Sequence, residues 1–149
     1  MKSSGTIESI LAHKGWAVFK ITPQATVYEA IACMDTNNVG ALLVMEGERL
    51  VGMISERDYT RKVALKGKVS KQVLVEEIMT KAIVSVTPRH TIDEGLRLMN
   101  DHRVRHLPVL EGEKVVGIVS IGNLVNWIIS SQKTTITHLE DYISGKYPG

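Results

Sequence analysis

The amino-acid sequence predicts an α/β fold: two β-α-β-β-α units packed about a pseudo-twofold axis, with short helices at the termini. Two observations predict it. The chain repeats itself, and each copy shows the same order of proline turn, capped amphipathic helix and paired apolar strands. Shifted by 65 positions, residues 21–63 lie on residues 86–128 without a gap. Thr22-Pro23 meets Thr87-Pro88, Thr26 meets Thr91, Glu29 meets Glu94 and Met34 meets Met99. Further on, Glu46-Gly47-Glu48 meets Glu111-Gly112-Glu113, Val51-Gly52 meets Val116-Gly117 and Ser55 meets Ser120. A match of this kind marks a duplicated supersecondary unit. One unit cannot cover its own apolar face, so the two belong together.

The elements follow in order. Ile7-Glu8-Ser9-Ile10-Leu11 resembles Val75-Glu76-Glu77-Ile78-Met79, a short segment upstream of each repeat. Here the offset is 68, so the first copy carries three extra residues around Lys14-Gly15-Trp16. An extended stretch ends at each Thr-Pro, because the residue before proline is kept out of the helical region. A helix then starts at Thr26 or Thr91, each followed three residues later by glutamate, a capping-box pattern. Val27, Ala30, Ile31 and Met34 recur at helical spacing, as do Ile92, Leu96 and Met99. Short apolar strands are predicted over 42–45 and 107–110, then 50–54 and 115–119 beyond the Glu-Gly-Glu turn, and a second helix closes each unit. With their upstream segments the units span 7–65 and 75–130, joined by a basic, solvated linker at 66–71. Thr137 and Glu140 form a further capping box, Leu139 and Ile143 an apolar stripe, and Gly145 a stop, which predicts an amphipathic C-terminal helix over 135–145.

Composition narrows the function. The chain has 149 residues, 44% hydrophobic and 23% charged, ordinary globular usage that argues against disorder. No apolar run approaches a membrane span, and the first residues lack the apolar core of a secretory signal. A soluble protein of the cytoplasm or an organellar matrix is expected. A net charge of +2 does not announce a nucleic-acid partner. Arg57, Arg61, Lys62, Lys66, Lys68 and Lys71 read as a solvated helix end and linker, or as helpers in phosphate binding. Cys33 stands alone, which excludes an intrachain disulfide and a cysteine metal cluster, and reads as a small buried hydrophobe, a redox-active thiol being the alternative. The five histidines (His13, His90, His102, His106, His138) lack zinc spacing, and no phosphate-loop, dinucleotide or metalloprotease motif occurs. No catalytic cofactor, no metal and no enzymatic activity are expected.

Gly52-Met53-Ile54-Ser55-Glu56-Arg57-Asp58 is similar to the nucleotide-binding signature of CBS motifs: glycine, two aliphatics, serine or threonine, two variable residues, aspartate. The whole of 7–129 resembles a stand-alone CBS pair, or Bateman module. Asp58, where strand gives way to helix, has a carboxylate able to accept both hydroxyls of a ribose, with Ser55 adding a hydroxyl contact. The alternative is a pure capping role, since Ser-x-x-Asp satisfies a helix start by itself, and the two roles can coexist. The resemblance implies that Asp58 faces Arg105 and His106 of the other repeat, which would grip phosphate, with Arg57 assisting; a solvated charge pair is the alternative. It also implies an adenine pocket at Met79-Thr80-Lys81-Ala82, walled by Val104 and Pro108.

The second half-site departs from the pattern. Asn123 replaces aspartate beside Ser120, Gly40-Ala41 supplies no cation, and the insertion falls at Lys14, Gly15 and Trp16. One strong site and one weaker, vacant or differently used site are expected. The resemblance implies a regulatory module for an adenine nucleotide (AMP, ADP, ATP or NAD, with S-adenosylmethionine also open), passing its signal to a partner or to self-association. A homodimer through Leu124, Trp127, Ile128 and Ile129 is expected. The alternative is a protein-interaction regulator with a vestigial cleft, as implied by plant organellar CBS pairs that act on thioredoxin.

Overall fold

Residues 5–143 are described by the computed structural model, with side chains as far as Gln132. In chain order the elements are α1 (Ile7–Lys14), β1 (Lys20–Ile21), α2 (Val27–Asn37), β2 (Ala41–Glu46), β3 (Arg49–Ser55) and the short α3 (Glu56–Tyr59). A π-helical turn (Thr60–Ala64) and a 3-10 turn (Ser70–Gln72) lead to α4 (Val75–Ile78), α5 (Ile92–His102), β4 (His106–Glu111), β5 (Lys114–Ser120) and α6 (Ile121–Ile143). Each strand–strand–helix run thus appears where the repeat predicts it.

Thr26 and Thr91 cap α2 and α5, each hydroxyl accepting from the amide three residues on, at 3.1 Å in both cases. Only at Thr91 does the glutamate return the bond, Thr91 N donating to Glu94 Oε1 at 3.1 Å. The β2–β3 and β4–β5 hairpins share one register, including a bulge after Val44 and after the equivalent Val109. The strand before the proline turn differs. In the first repeat β1 pairs in parallel with β2, whereas in the second only an isolated bridge, Val86 to Val109, remains.

The upstream segments cross over. Ile7, Ile10 and Leu11 of α1 are buried with Ile92, Met99, Leu107, Val109 and Leu124 of the second repeat. Val73, Val75 and Ile78 are buried with Val27, Met34, Leu42 and Val44 of the first. Paired hydrogen bonds hold the exchange. Ile7 N donates to His90 O and Glu8 N to Pro88 O; Val75 N donates to Ala25 O and Glu76 N to Pro23 O. Each bond of the first pair maps onto one of the second by the offsets of 68 and 65 read from the sequence. This reciprocity expresses the pseudo-twofold relation of the repeats in backbone hydrogen bonds. It also explains the glycine of each signature. A Cβ on Gly52 would lie 2.7 Å from Met79 Sδ, and one on Gly117 would lie 2.9 Å from the methyls of Leu11. The crossing segments pass too close to the strands for any side chain there.

Three expectations need correction. Helix α6 runs unbroken through Thr137, so no separate helix starts there; nothing between Ile121 and Thr137 is a glycine or proline able to break it after Gly122. The expected stop at Gly145 lies outside the described residues. Of the four residues expected to offer a dimer surface, Ile129 is exposed, but Leu124 is fully buried and Trp127 and Ile128 pack on the second core, so the exposed apolar stripe of α6 is Ile121, Val125 and Ile129. Cys33 is half-buried at the edge of the first core rather than inside it.

Candidate functional site

Ser55 ends β3 and caps α3, and its partner in the box is Asp58. Ser55 N donates to Asp58 Oδ2 at 2.9 Å, Ser55 Oγ donates to the same oxygen at 3.1 Å, and Asp58 N donates back to Ser55 Oγ at 3.2 Å. Lys62, one turn on, places Nζ 3.0 Å from Asp58 Oδ1 and donates to Ile78 O at 2.8 Å. The capping role is therefore present. It leaves acceptor capacity on Oδ1, since a carboxylate offers about four lone-pair directions and three are engaged. At Oδ1 the Lys62 ammonium is the one partner among the described residues.

The other repeat supplies the facing wall. Glu56 N donates to Gly40 O, and in the matching place Ile121 N donates to Arg105 O, so the two helix starts hang on the loops before β2 and β4. The His106 ring leans over Gly40, with Nε2 3.6 Å from where a Cβ on Gly40 would lie. A larger residue at position 40 would press on that ring. Burial, then Arg105, then Lys14 push the His106 pKa below the ordinary histidine value, so the ring is neutral near pH 7 and can donate one N–H. The expected cationic corner is thus one guanidinium plus a neutral donor. Arg105 itself is exposed and aims at the opening.

These groups line a single cleft of about 620 Å³. Ser55, Arg57, Asp58, Thr80, Ala82, Val104, Arg105 and His106 all border it, as does the Gly40-Ala41 pair assigned to the second half-site. The floor is made where Met53 N donates to Thr80 O and Thr80 N to Met53 O, at 3.0 and 2.8 Å. Ile83 and Val84 extend the apolar wall. Three predicted residues lie elsewhere: Met79 packs on Gly52 and the first core, Pro108 is buried inside β4, and Lys81 is exposed off the rim. Apolar residues in strands and crossings are core first, and the sequence does not separate the two uses. Arg61 and Lys62, read from the sequence as solvated charges or phosphate helpers, border the cleft, and so does Arg103, which the sequence reading did not single out. The signal for Lys62 was its i,i+4 spacing from Asp58.

Where the sequence places the second half-site, a lysine stands in the position that the returning backbone takes in the first. The three extra residues give α1 eight residues where α4 has four. The chain leaving α1 therefore does not return along β5 as Thr80 returns along β3. Instead Lys14 Nζ donates to Ile118 O at 2.9 Å, and Ile118 is the repeat equivalent of Met53. Asn123 repeats the cap, Ser120 N donating to Asn123 Oδ1 at 2.8 Å and Asn123 N to Ser120 Oγ at 3.1 Å. An amide donor binds only the oxygen, so Asn123 presents its NH2 group outward, a donor where Asp58 presents an acceptor. Gly15, Trp16, Ser120 and Asn123 do not border this cleft or the other large one, of about 790 Å³ at the hairpin tips.

A model of the CBS domain matches residues 15–65 and 75–130. The chain belongs to the CBS domain family. As a CBS pair it is 37% identical over 153 aligned residues to the mitochondrial CBS domain-containing protein CBSX3 of Arabidopsis thaliana, covering 97% of this chain and 74% of that protein. A protein with CBS domains from Burkholderia ambifaria MC40-6 has the same fold, with a TM-score of 0.83 and 44% identity over 86% of this chain and 96% of that one. The CBS domain pair of protein MJ0100, solved in complex with 5′-methylthioadenosine and S-adenosylmethionine, is 22% identical with a TM-score of 0.75, covering 86% of this chain and 98% of that one. It shares the fold. Stand-alone CBS pairs are regulatory modules. Among the described residues no helix is long and apolar enough to cross a membrane, and no cluster of metal-ligating side chains occurs.

Proposed function

We propose that this CBS pair is a nucleotide-sensing module that binds one adenine nucleotide in the cleft between its repeats and performs no chemistry on it. The observation that carries the reading is the juxtaposition across one cleft of a carboxylate with spare acceptor capacity, Asp58, and the Arg105–His106 donor pair. Ribose belongs at Asp58 and Ser55, phosphate at Arg105, Arg57 and the His106 N–H, and the base against Thr80, Ala82 and Val104. The MJ0100 complex supports it at the level of fold, since that architecture holds adenosyl compounds. Calorimetric titration with AMP, ADP, ATP, NAD and S-adenosylmethionine tests it. One molecule bound per chain is expected, and a protein that ignores all five ligands would falsify the reading.

The signal leaves through a surface, because a ligand shifts a conformational equilibrium only by its difference in affinity for the two states. Ile121, Val125 and Ile129 recur at i,i+4 along one face of α6, and this stripe suits a second copy of the chain. Light scattering should show a dimer that Val125→Lys converts to monomer; a monomeric parent protein ends that part of the proposal.

A further inference from the structure

We infer that the cleft selects a polyphosphate chain, so that ADP and ATP are bound in preference to AMP, adenosine or an adenosyl sulfonium. This rests on the adenine-nucleotide reading above and adds a phosphate register to it. Four guanidinium groups, Arg57, Arg61, Arg103 and Arg105, border the same opening. Among the described residues none of the four is held in an ion pair or a side-chain hydrogen bond. With Lys62 they set five cations against the two carboxylates of Glu56 and Asp58, an excess of three in a chain whose whole excess is two. The positive charge of this protein is therefore concentrated in one place. The cluster is also self-repelling: Arg61 first, and Arg105 after partial desolvation, lower the Arg57 pKa against a weaker opposing effect of Asp58.

The other repeat shows that the fold does not require these arginines. By the 65-residue offset, the equivalents of Arg57, Arg61, Arg103 and Arg105 are Gly122, Asn126, Asn38 and Gly40. Arg103 is held against its own preference. It ends α5 with φ 55° and ψ 43°, a left-handed conformation that its counterpart Asn38 adopts with φ 52° and ψ 49°. Asparagine tolerates that region and arginine does so less readily. A strained cation kept at the mouth of a cleft, where the duplicated position has the comfortable residue, points to a ligand. A single phosphate at Arg105 and Arg57 leaves Arg61 and Arg103 unmatched. Two or three phosphates in line engage all four, as guanidinium forks suit phosphate oxygens.

Titration of the intact chain with AMP, ADP, ATP and inorganic tripolyphosphate, without divalent cations, tests this. ATP should bind at least about tenfold more tightly than AMP, with ADP between them. Raising the salt concentration should narrow that ratio. Arg61→Asn with Arg103→Asn, each borrowing the other repeat's residue, should lower ATP affinity about tenfold more than AMP affinity. Arg103→Asn alone should raise the melting temperature of the unliganded protein. Equal affinity for AMP and ATP overturns the polyphosphate inference and leaves the adenylate reading standing. Tripolyphosphate binding in the absence of any adenylate binding does the reverse, and no binding at all overturns both.

Discussion

Replacing Asp58 by asparagine separates the two uses of that side chain, because the protein already contains the control. Asp58 closes a capping box through Oδ2 and meets Lys62 through Oδ1. Asn123 closes the same box in the second repeat, with Ser120 N on its oxygen at 2.8 Å. Asp58→Asn should therefore keep the cap. It surrenders only the ion pair with a partly exposed lysine, about 0–1 kcal/mol. Asp58→Ala also removes the acceptor of Ser55 N, a further loss of about 1–3 kcal/mol if that part-buried amide stays unpaired, while the residue 58 amide still donates to Ser55 Oγ. Ligand affinity follows a different rule. Both variants delete the charged acceptor and expose the site to an amide donor or to nothing, losing roughly 1.5–3 kcal/mol, or about ten- to a hundredfold. Urea denaturation and calorimetric titration with ATP, run on the three proteins, give both quantities. The expected order is a near-parental stability for Asp58→Asn with binding as poor as that of Asp58→Ala. If Asp58→Asn binds within about threefold of the parent, the carboxylate is a cap and nothing more, and the ribose assignment falls.

Other outcomes follow from the same geometry. Gly52→Ala should cost about 1–3 kcal/mol by overpacking, because its Cβ would meet Met79 Sδ at 2.7 Å and the fixed Thr80 carbonyl at 3.1 Å; Gly117→Ala, which meets only the Leu11 side chain, should cost less, and chemical denaturation ranks them. Lys14→Ala with Asn123→Asp removes the lysine from Ile118 O and restores an acceptor, so calorimetric stoichiometry should move from one nucleotide per chain toward two; a stoichiometry fixed at one refutes self-closure of the second half-site. The depressed His106 pKa means that the unfolded chain takes up the proton first, near the ordinary value of 6.5. Stability should be full above that pH and fall as the pH drops through it, a slope that His106→Gln should abolish in melts between pH 5 and 7.5, values set by the ordinary histidine range of about 6.5.

Much of the fold was legible. The Thr26 and Thr91 caps, both hairpins and the strand ends within about one residue follow from local chemistry that a duplicated sequence states twice, and the ±1–2 residue scatter of element ends is ordinary. What was hidden depends on long-range choice. Ile7–Leu11 and Val75–Met79 are visibly alike, yet nothing in their side chains says which repeat each covers, since either core would bury the same apolar area. Position also decides between wall and core. Val104 and Pro108 look equally apolar, but Pro108 lies inside β4 and only Val104 reaches the cleft. Arg103 could have been found: its partner in the repeat, Asn38, sits where a helix ends and where asparagine commonly turns left-handed.

A duplicated fold with reciprocal packing would by default make two equal sites, and here the departure from equality has one traceable origin. Three inserted residues lengthen α1 by about a turn, the pitch being about 3.6 residues. Lengthening the helix removes the backbone strip that Thr80 provides in the other half, and it delivers Lys14 to Ile118 O in its place. The ammonium so placed also bears on His106, adding to burial and Arg105, the larger causes, in holding that ring's pKa down. One lysine thus stands between the halves, donating to Ile118 O in one and adding to the positive surroundings of His106 in the other. α1 also packs on α6, the helix that carries the exposed stripe of Ile121, Val125 and Ile129, so the segment that makes the two halves unequal lies against that surface.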